Sequence, residues 1–171
     1  MGLFDWFKAL ASGKEAAQGG TAQQKASFES ASAPRPDPEE DPDSSTVAGL
    51  NFKSAIDAHM QWKIRLQQVI EGTNAELLDV ETVSRDDKCV LGKWINGPGS
   101  QMFGRLREFQ ELKIDHARFH VNAGDILACA VAGDKEGANT RLHKGDYTKV
   151  SEHVKLRLAR LYIHINSQDK K

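Results

Sequence analysis

The chain contains no apolar run of the roughly 18 residues that a membrane-spanning helix requires. Its start, Met1-Gly2-Leu3-Phe4-Asp5-Trp6-Phe7-Lys8, lacks the charged opening, long apolar stretch and cleavage site of a secretory signal. Trp6 stands where a myristoylation signal needs Ser or Thr. The two cysteines, Cys89 and Cys129, are too few for a disulfide framework. The expected location is therefore a reducing cytoplasm, where an unpaired cysteine is buried, reactive or bound to metal. Net charge is only −1, which gives no bulk electrostatic case for nucleic acid or an anionic surface. A nucleophile triad, a phosphate-cradling glycine loop and a carboxylate pair are all missing, which argues against an enzyme. Strand patterning is nearly absent, and no internal repeat stands out.

What the chain has is unevenly placed. Residues 1–48 carry four basic and eight acidic side chains, whereas residues 49–171 carry nineteen and sixteen. Residues 1–12 form a short amphipathic piece, with Leu3, Phe4, Trp6, Phe7 and Leu10 as its apolar side. Residues 13–48 hold four of the five prolines and only Phe28 and Val47 as large apolar residues. Such a stretch buries too little apolar surface to offset its ordering entropy, so it reads as a disordered acidic linker.

Residues 49–167 read as one all-α domain. Phe52, Ile56, Met60, Leu66 and Ile70 recur at helical steps, and Gly72 with Asn74 suits that helix's end. The run from Leu77 to Val83 reads as a connection or a single turn. Asp86 or Asp87 is placed to cap a short helix carrying Cys89, Leu91, Trp94 and Ile95. Asn96-Gly97-Pro98-Gly99-Ser100 signals a turn, with Ser100 suited to cap the next helix. That helix is the longest. Phe103, Leu106, Phe109, Leu112, His116, Phe119, Ala123, Ile126 and Ala130 trace one stripe down to Gly133. A short helix from Asp134 to about Leu142, ended near Gly145, precedes a last helix from about Thr148 to Ile165. The expected architecture is an antiparallel four-helix bundle with an additional short helix, preceded by the disordered N-terminal segment.

His116 and His120 lie four residues apart in the longest helix, which puts both imidazoles on one face, one turn apart. His59 sits beside Met60 on the first helix. A buried histidine needs a partner for each ring nitrogen, and three converging on one core are hard to satisfy without a metal or carboxylates. Cys89 falls in a helical first turn, where the N-terminus favours the thiolate. Three imidazoles and a thiolate suit tetrahedral zinc. On the residues alone, satisfied core histidines and a small buried cysteine account for the same positions. Cys129, in Ala128-Cys129-Ala130, reads as inert core, and His143, His153 and His164 as surface or boundary residues.

Three motifs carry a resemblance. His59-Met60-Gln61-Trp62, Cys89-Val90-Leu91-Gly92-Lys93-Trp94 and His116-Ala117-Arg118-Phe119-His120 stand in order at intervals of thirty, twenty-seven and four residues. Together the region from about Ile56 to Leu161 resembles the CZB domain, the chemoreceptor zinc-binding domain of bacteria. The resemblance implies a four-helix bundle, often a homodimer, with zinc held by His59, Cys89, His116 and His120. Relatives sit on chemoreceptors or diguanylate cyclases and sense zinc, or an oxidant through the zinc-bound cysteine. This chain carries no receptor coiled coil and no cyclase domain, so the expected role is a stand-alone sensory module. Loss of zinc, or oxidation of Cys89 to a sulfenic acid, would then alter helix packing. Residues 1–12 are the expected contact to a chemotaxis or cyclic-dinucleotide signalling partner, with nucleic acid not expected and membrane attachment disfavoured. A structural or zinc-storing bundle and a zinc hydrolase are the rival readings.

Overall fold

The computed structural model describes residues 45–74 and 77–168. The expected amphipathic segment 1–12 and nearly all of the expected linker therefore lie outside the described residues. The described chain opens with a small antiparallel hairpin, β1 (Thr46–Val47) and β2 (Leu50–Asn51), turning through Ala48 and Gly49, both at positive φ. Positive φ at both central residues is the signature of the tight turn that matches strand twist. This ordered start precedes the expected boundary near Leu50. Ser45 is buried, its carbonyl accepts the Phe52 N–H at 2.9 Å, and Trp94 Nε1 donates to the Ala48 carbonyl at 3.1 Å.

Seven α-helices follow among the described residues: α1 (Phe52–Glu71), α2 (Val80–Ser84), α3 (Val90–Asn96), α4 (Pro98–Phe103), α5 (Arg107–Val131), α6 (Lys135–Lys144) and α7 (Asp146–Gln168). Local chemistry sets several ends. Asn51 caps α1 by accepting the Ser54 N–H at 2.8 Å, and Gly72 closes it in the left-handed conformation. Asp79 caps α2 through the Thr82 N–H, and Asp134 caps α6 through the Gly137 N–H. Helix α4 starts with Pro98 at its first turn, where a missing N–H costs nothing. That places Ser100 inside α4 rather than at the cap of α5, and the longest helix begins only at Arg107.

Helices α1, α5, α6 and α7 each touch the other three, which makes the expected all-α bundle. Helix α7 runs antiparallel to α5. Glu108 meets His164, and Glu111 meets Arg157. It is antiparallel to α1 as well, with Phe52 beside Tyr162. The chain returns through α2, α3 and α4, so α1 and α5 run in the same direction, His59 beside His116 and Val69 near Leu127. The core between them holds Phe52, Ile56, Leu66, Phe109, Leu112, Phe119, Ile126, Leu158 and Leu161. Met60, expected inward, is 41% exposed, and its neighbour His59 takes the core position instead. One step along a helix rotates a side chain by about 100°, so the two cannot share a face.

Candidate metal centre

Helix α5 presents His116 and His120 with ring centroids 4.7 Å apart, and Phe119 packs beside them into the core. Helix α1 brings the His59 ring to 5.2 Å from His116 and 6.3 Å from His120. Cys89 arrives from a third direction. A single 3-10 turn, Asp86–Lys88, folds back on the start of α3, and Cys89 is itself the cap of that helix. Its Sγ accepts the Gly92 N–H at 3.2 Å and lies 3.8 Å from the Asp86 carbonyl. A Cβ at position 92 would overlap the Asp86 carbonyl oxygen and lie 2.7 Å from its carbon, so only glycine allows this fold-back. The turn delivers Sγ to 3.3 Å from His116 Nε2. One donor atom from each of His59, Cys89, His116 and His120 lies within 4.8 Å of the others.

The hydrogen bonds decide which nitrogens face inward. His59 Nδ1 is 2.7 Å from the Ala55 carbonyl, and His120 Nδ1 is 2.7 Å from the Val83 carbonyl. A carbonyl only accepts, so Nδ1 carries the proton on both rings and Nε2 keeps its lone pair. Both Nε2 atoms are buried and have no hydrogen-bond partner among the described residues, and the same is true of His116 Nδ1. Leaving such groups unmade costs about 1–3 kcal/mol each. Two lone pairs aimed at a thiol and a third imidazole fit a cation better than they fit each other. Tetrahedral zinc, with bonds of about 2.0–2.1 Å to nitrogen and about 2.3 Å to sulfur, needs donors about 3.3–3.6 Å apart. The sulfur–nitrogen pair already has that spacing.

Burial pushes the His59 imidazole down to about 4, only partly offset by its bond to Ala55. Burial, with the neighbouring His59 and His120, takes His116 to about 2, and burial also lowers His120. All three rings are therefore neutral at physiological pH, which is the ligating form. Cys89 moves the other way. Burial raises its thiol above the ordinary value, and the Gly92 and Leu91 N–H groups oppose that only in part. The helix-start effect read from the sequence, which favours the thiolate, is thus outweighed by desolvation at the Cys89 cap. Metal uptake by these four donors would then displace one proton, that of Cys89. The expected result near pH 7 is about one proton released per zinc, with affinity rising about tenfold per pH unit between about 6.5 and 8. Calorimetric titration in two buffers of different ionisation heat measures it. Release of two or more protons would contradict the neutral imidazoles.

All four residues singled out in the sequence come together, from α1, the Cys89 cap and α5. The remaining histidines stay outside. His143 meets Gln67 Oε1 at 3.0 Å, His153 lies 3.6 Å from Asp115, and His164 lies 3.6 Å from Glu108. Cys129 is only half-buried. The sequence reading missed the two carbonyls that orient His59 and His120. Ala55 was findable, four residues before His59 on one helix face, but nothing in the chain points to Val83. It also missed Asp115, a buried carboxylate next to His116. Arg157 holds it at 3.4 Å and bonds Glu111 at 2.7 Å, tying α5 to α7.

No described helix is long and apolar enough to cross a membrane. Residues 59–127 match the family model of the chemoreceptor zinc-binding domain, CZB. No curated protein matches the chain, and no solved structure does. The matched span begins at His59 and contains Cys89, His116 and His120, so the family and the buried donor cluster fall on the same residues. Residues 59–127 are thus similar to the chemoreceptor zinc-binding domain, a family whose metal is zinc, and they hold a cluster of donors able to bind such an ion.

Proposed function

We propose that this protein is a sensory or regulatory module in which His59, Cys89, His116 and His120 hold one zinc ion, and occupancy sets how α2 and α3 pack on the bundle. The observation that carries the reading is the convergence of four donors from three separate elements, with two buried Nε2 lone pairs facing inward and unpartnered. When bound, zinc supplies a fixed charge that favours the Cys89 thiolate and cross-links the three elements. The protein's own groups do the rest. Ala55 and Val83 hold two rings in the ligating tautomer, and the Gly92 N–H steadies the sulfur.

Four protein donors fill a tetrahedron and leave no position for substrate, which favours a module over an enzyme. Sensing is favoured over permanent stapling by the way Cys89 is mounted. It lies between a 3-10 turn and the seven-residue α3, while the other ligands sit on helices of 20 and 25 residues. The weakest-held ligand is also the oxidisable one, so free zinc and an oxidant are both inputs the site could register. Assembly as a homodimer, and delivery of the signal to a partner through residues 1–12, belong to the same reading.

Amide hydrogen exchange of the full chain, zinc-loaded against metal-free, tests it. The expected result is about tenfold or more slower exchange across residues 80–96 on loading, with the core amides of α7 unchanged. Equal exchange in both states would contradict a signalling role and leave zinc as a structural staple.

A further inference from the structure

Helix α2 is only five residues long and sends no side chain to the metal centre, yet its Val83 carbonyl fixes the tautomer of His120. What sets its depth is a contact one turn away. Gly124 follows His120 by four residues on α5, so both lie on the same face. Ser84 of α2 packs directly on that glycine. A Cβ at position 124 would overlap Ser84 Oγ and lie 2.9 Å from its Cβ and 3.1 Å from its Cα. The Ser84 hydroxyl is turned back to the Val80 carbonyl at 2.7 Å, which keeps the side chain low against α5. Glycine in the interior of a 25-residue helix lowers helix stability relative to alanine, so the position is occupied against propensity.

We propose that Gly124 and Ser84 are positioning residues for the metal centre: their contact seats α2 at the depth where the Val83 carbonyl reaches His120 Nδ1. This rests on the reading of His120 as a zinc ligand. A 2.7 Å hydrogen bond does not survive a displacement of about 1 Å, so a methyl group at position 124 frees the His120 ring to turn or to move its proton. The ring then no longer offers Nε2 in a fixed direction, and zinc affinity falls although no ligand has been changed. Partners of this kind are worth about 10–100-fold in metal affinity.

The test compares the wild type, Gly124→Ala, and Gly124→Ala combined with Ser84→Gly, all as the full chain. Zinc affinity is read by competition with a chromophoric chelator. The His120 tautomer is read in the metal-free protein by nitrogen NMR of labelled histidine. Gly124→Ala is expected to weaken zinc by about 10–100-fold and to lose the Nδ1–H form of His120. The double variant, which removes the overlapping atoms, is expected to recover affinity to within about threefold of wild type along with that tautomer. Wild-type affinity and tautomer in Gly124→Ala would overturn the proposal. So would a loss of affinity with His120 still in the Nδ1–H form and no recovery in the double variant, because the damage would then be general. If Gly124→Ala does not fold, Ser84→Thr adds one methyl to the same contact from the other side, and the same outcomes decide. A wild type that takes up no zinc would sink the zinc reading, while the tautomer comparison would still judge the contact.

Discussion

Stripping zinc with a chelator is expected to lower the midpoint of thermal unfolding by on the order of 15 °C. A ligand that binds only the folded state adds about 4 kcal/mol when its free concentration is a thousandfold above Kd. For a domain of this size each kcal/mol is worth roughly 3–5 °C. Among the described residues the Nε2 atoms of His59 and His120 are buried without hydrogen-bond partners. That desolvation is not recovered until a cation takes the lone pairs. Most of the core is apolar and packs away from the four donors. Phe52, Phe109, Phe119 and Ile126 are fully or almost fully buried. The metal-free protein should therefore stay folded at room temperature and unfold cooperatively at a lower midpoint. Calorimetric scans with zinc and with excess chelator measure the difference. A shift below about 2 °C would contradict metal binding coupled to folding.

Replacing His116 by alanine is expected to weaken zinc binding by on the order of a hundredfold or more. Sites with four protein ligands hold zinc with about 10–16 kcal/mol of apparent free energy, so one ligand in four is worth about 2.5–4 kcal/mol. Among the four donors His116 has most at stake. It is fully buried, its Nε2 lies 3.3 Å from Cys89 Sγ, and its ring stands 5.2 Å from that of His59 and 4.7 Å from that of His120. The stability of the metal-free protein should change less than the affinity. Truncation opens a cavity, but it also deletes the buried, unpartnered Nδ1. His143→Ala is the matched control. That ring is exposed and meets Gln67, away from the cluster, so its removal should leave zinc affinity unchanged. Competition titration of the three proteins measures both effects. His116→Ala binding zinc within about threefold of wild type would remove His116 from the ligand set.

The parts of this fold that could be read in the chain are those decided by local chemistry. The i, i+4 pair on α5 needed only helix geometry to share a face. Gly72, Asp134 and Gly145 mark helix ends because capping is written in single residues. The misreadings fall where tertiary contact or a competing local signal won. Pro98 outcompeted Ser100 as a start signal and split off α4, shortening the long helix from its N-terminal side. Apolar counting put Met60 inward, but a neighbouring His59 with two polar nitrogens took the buried place through its bond to Ala55 and its packing on Phe119. Cys89 was placed inside a helix, whereas a 3-10 turn and a glycine made it the cap. The hairpin at Thr46–Asn51 has two-residue strands, too short for any alternating pattern to show, and it is held by Trp94 from elsewhere in the chain.

The four residues that converge were legible, and their support was not. Four residues of two zinc-binding types, three histidines and a cysteine, stood at intervals that the resemblance could recognise. The carbonyls of Ala55 and Val83 carry no side-chain signature, and the contact of Ser84 with Gly124 exists only once α2 lies on α5. The orientation of a metal ligand is thus encoded mainly by residues whose identity, taken alone, says nothing about metal.

The most direct measurement is the zinc content of the purified full chain, determined beside Cys89→Ala and His120→Ala. The account predicts about one zinc per chain in the wild type and substantial loss in both variants, since each removes one of four donors. Wild-type protein that is purified without zinc and fails to take it up when offered would contradict the account, and the three buried histidines would then stand as core residues only.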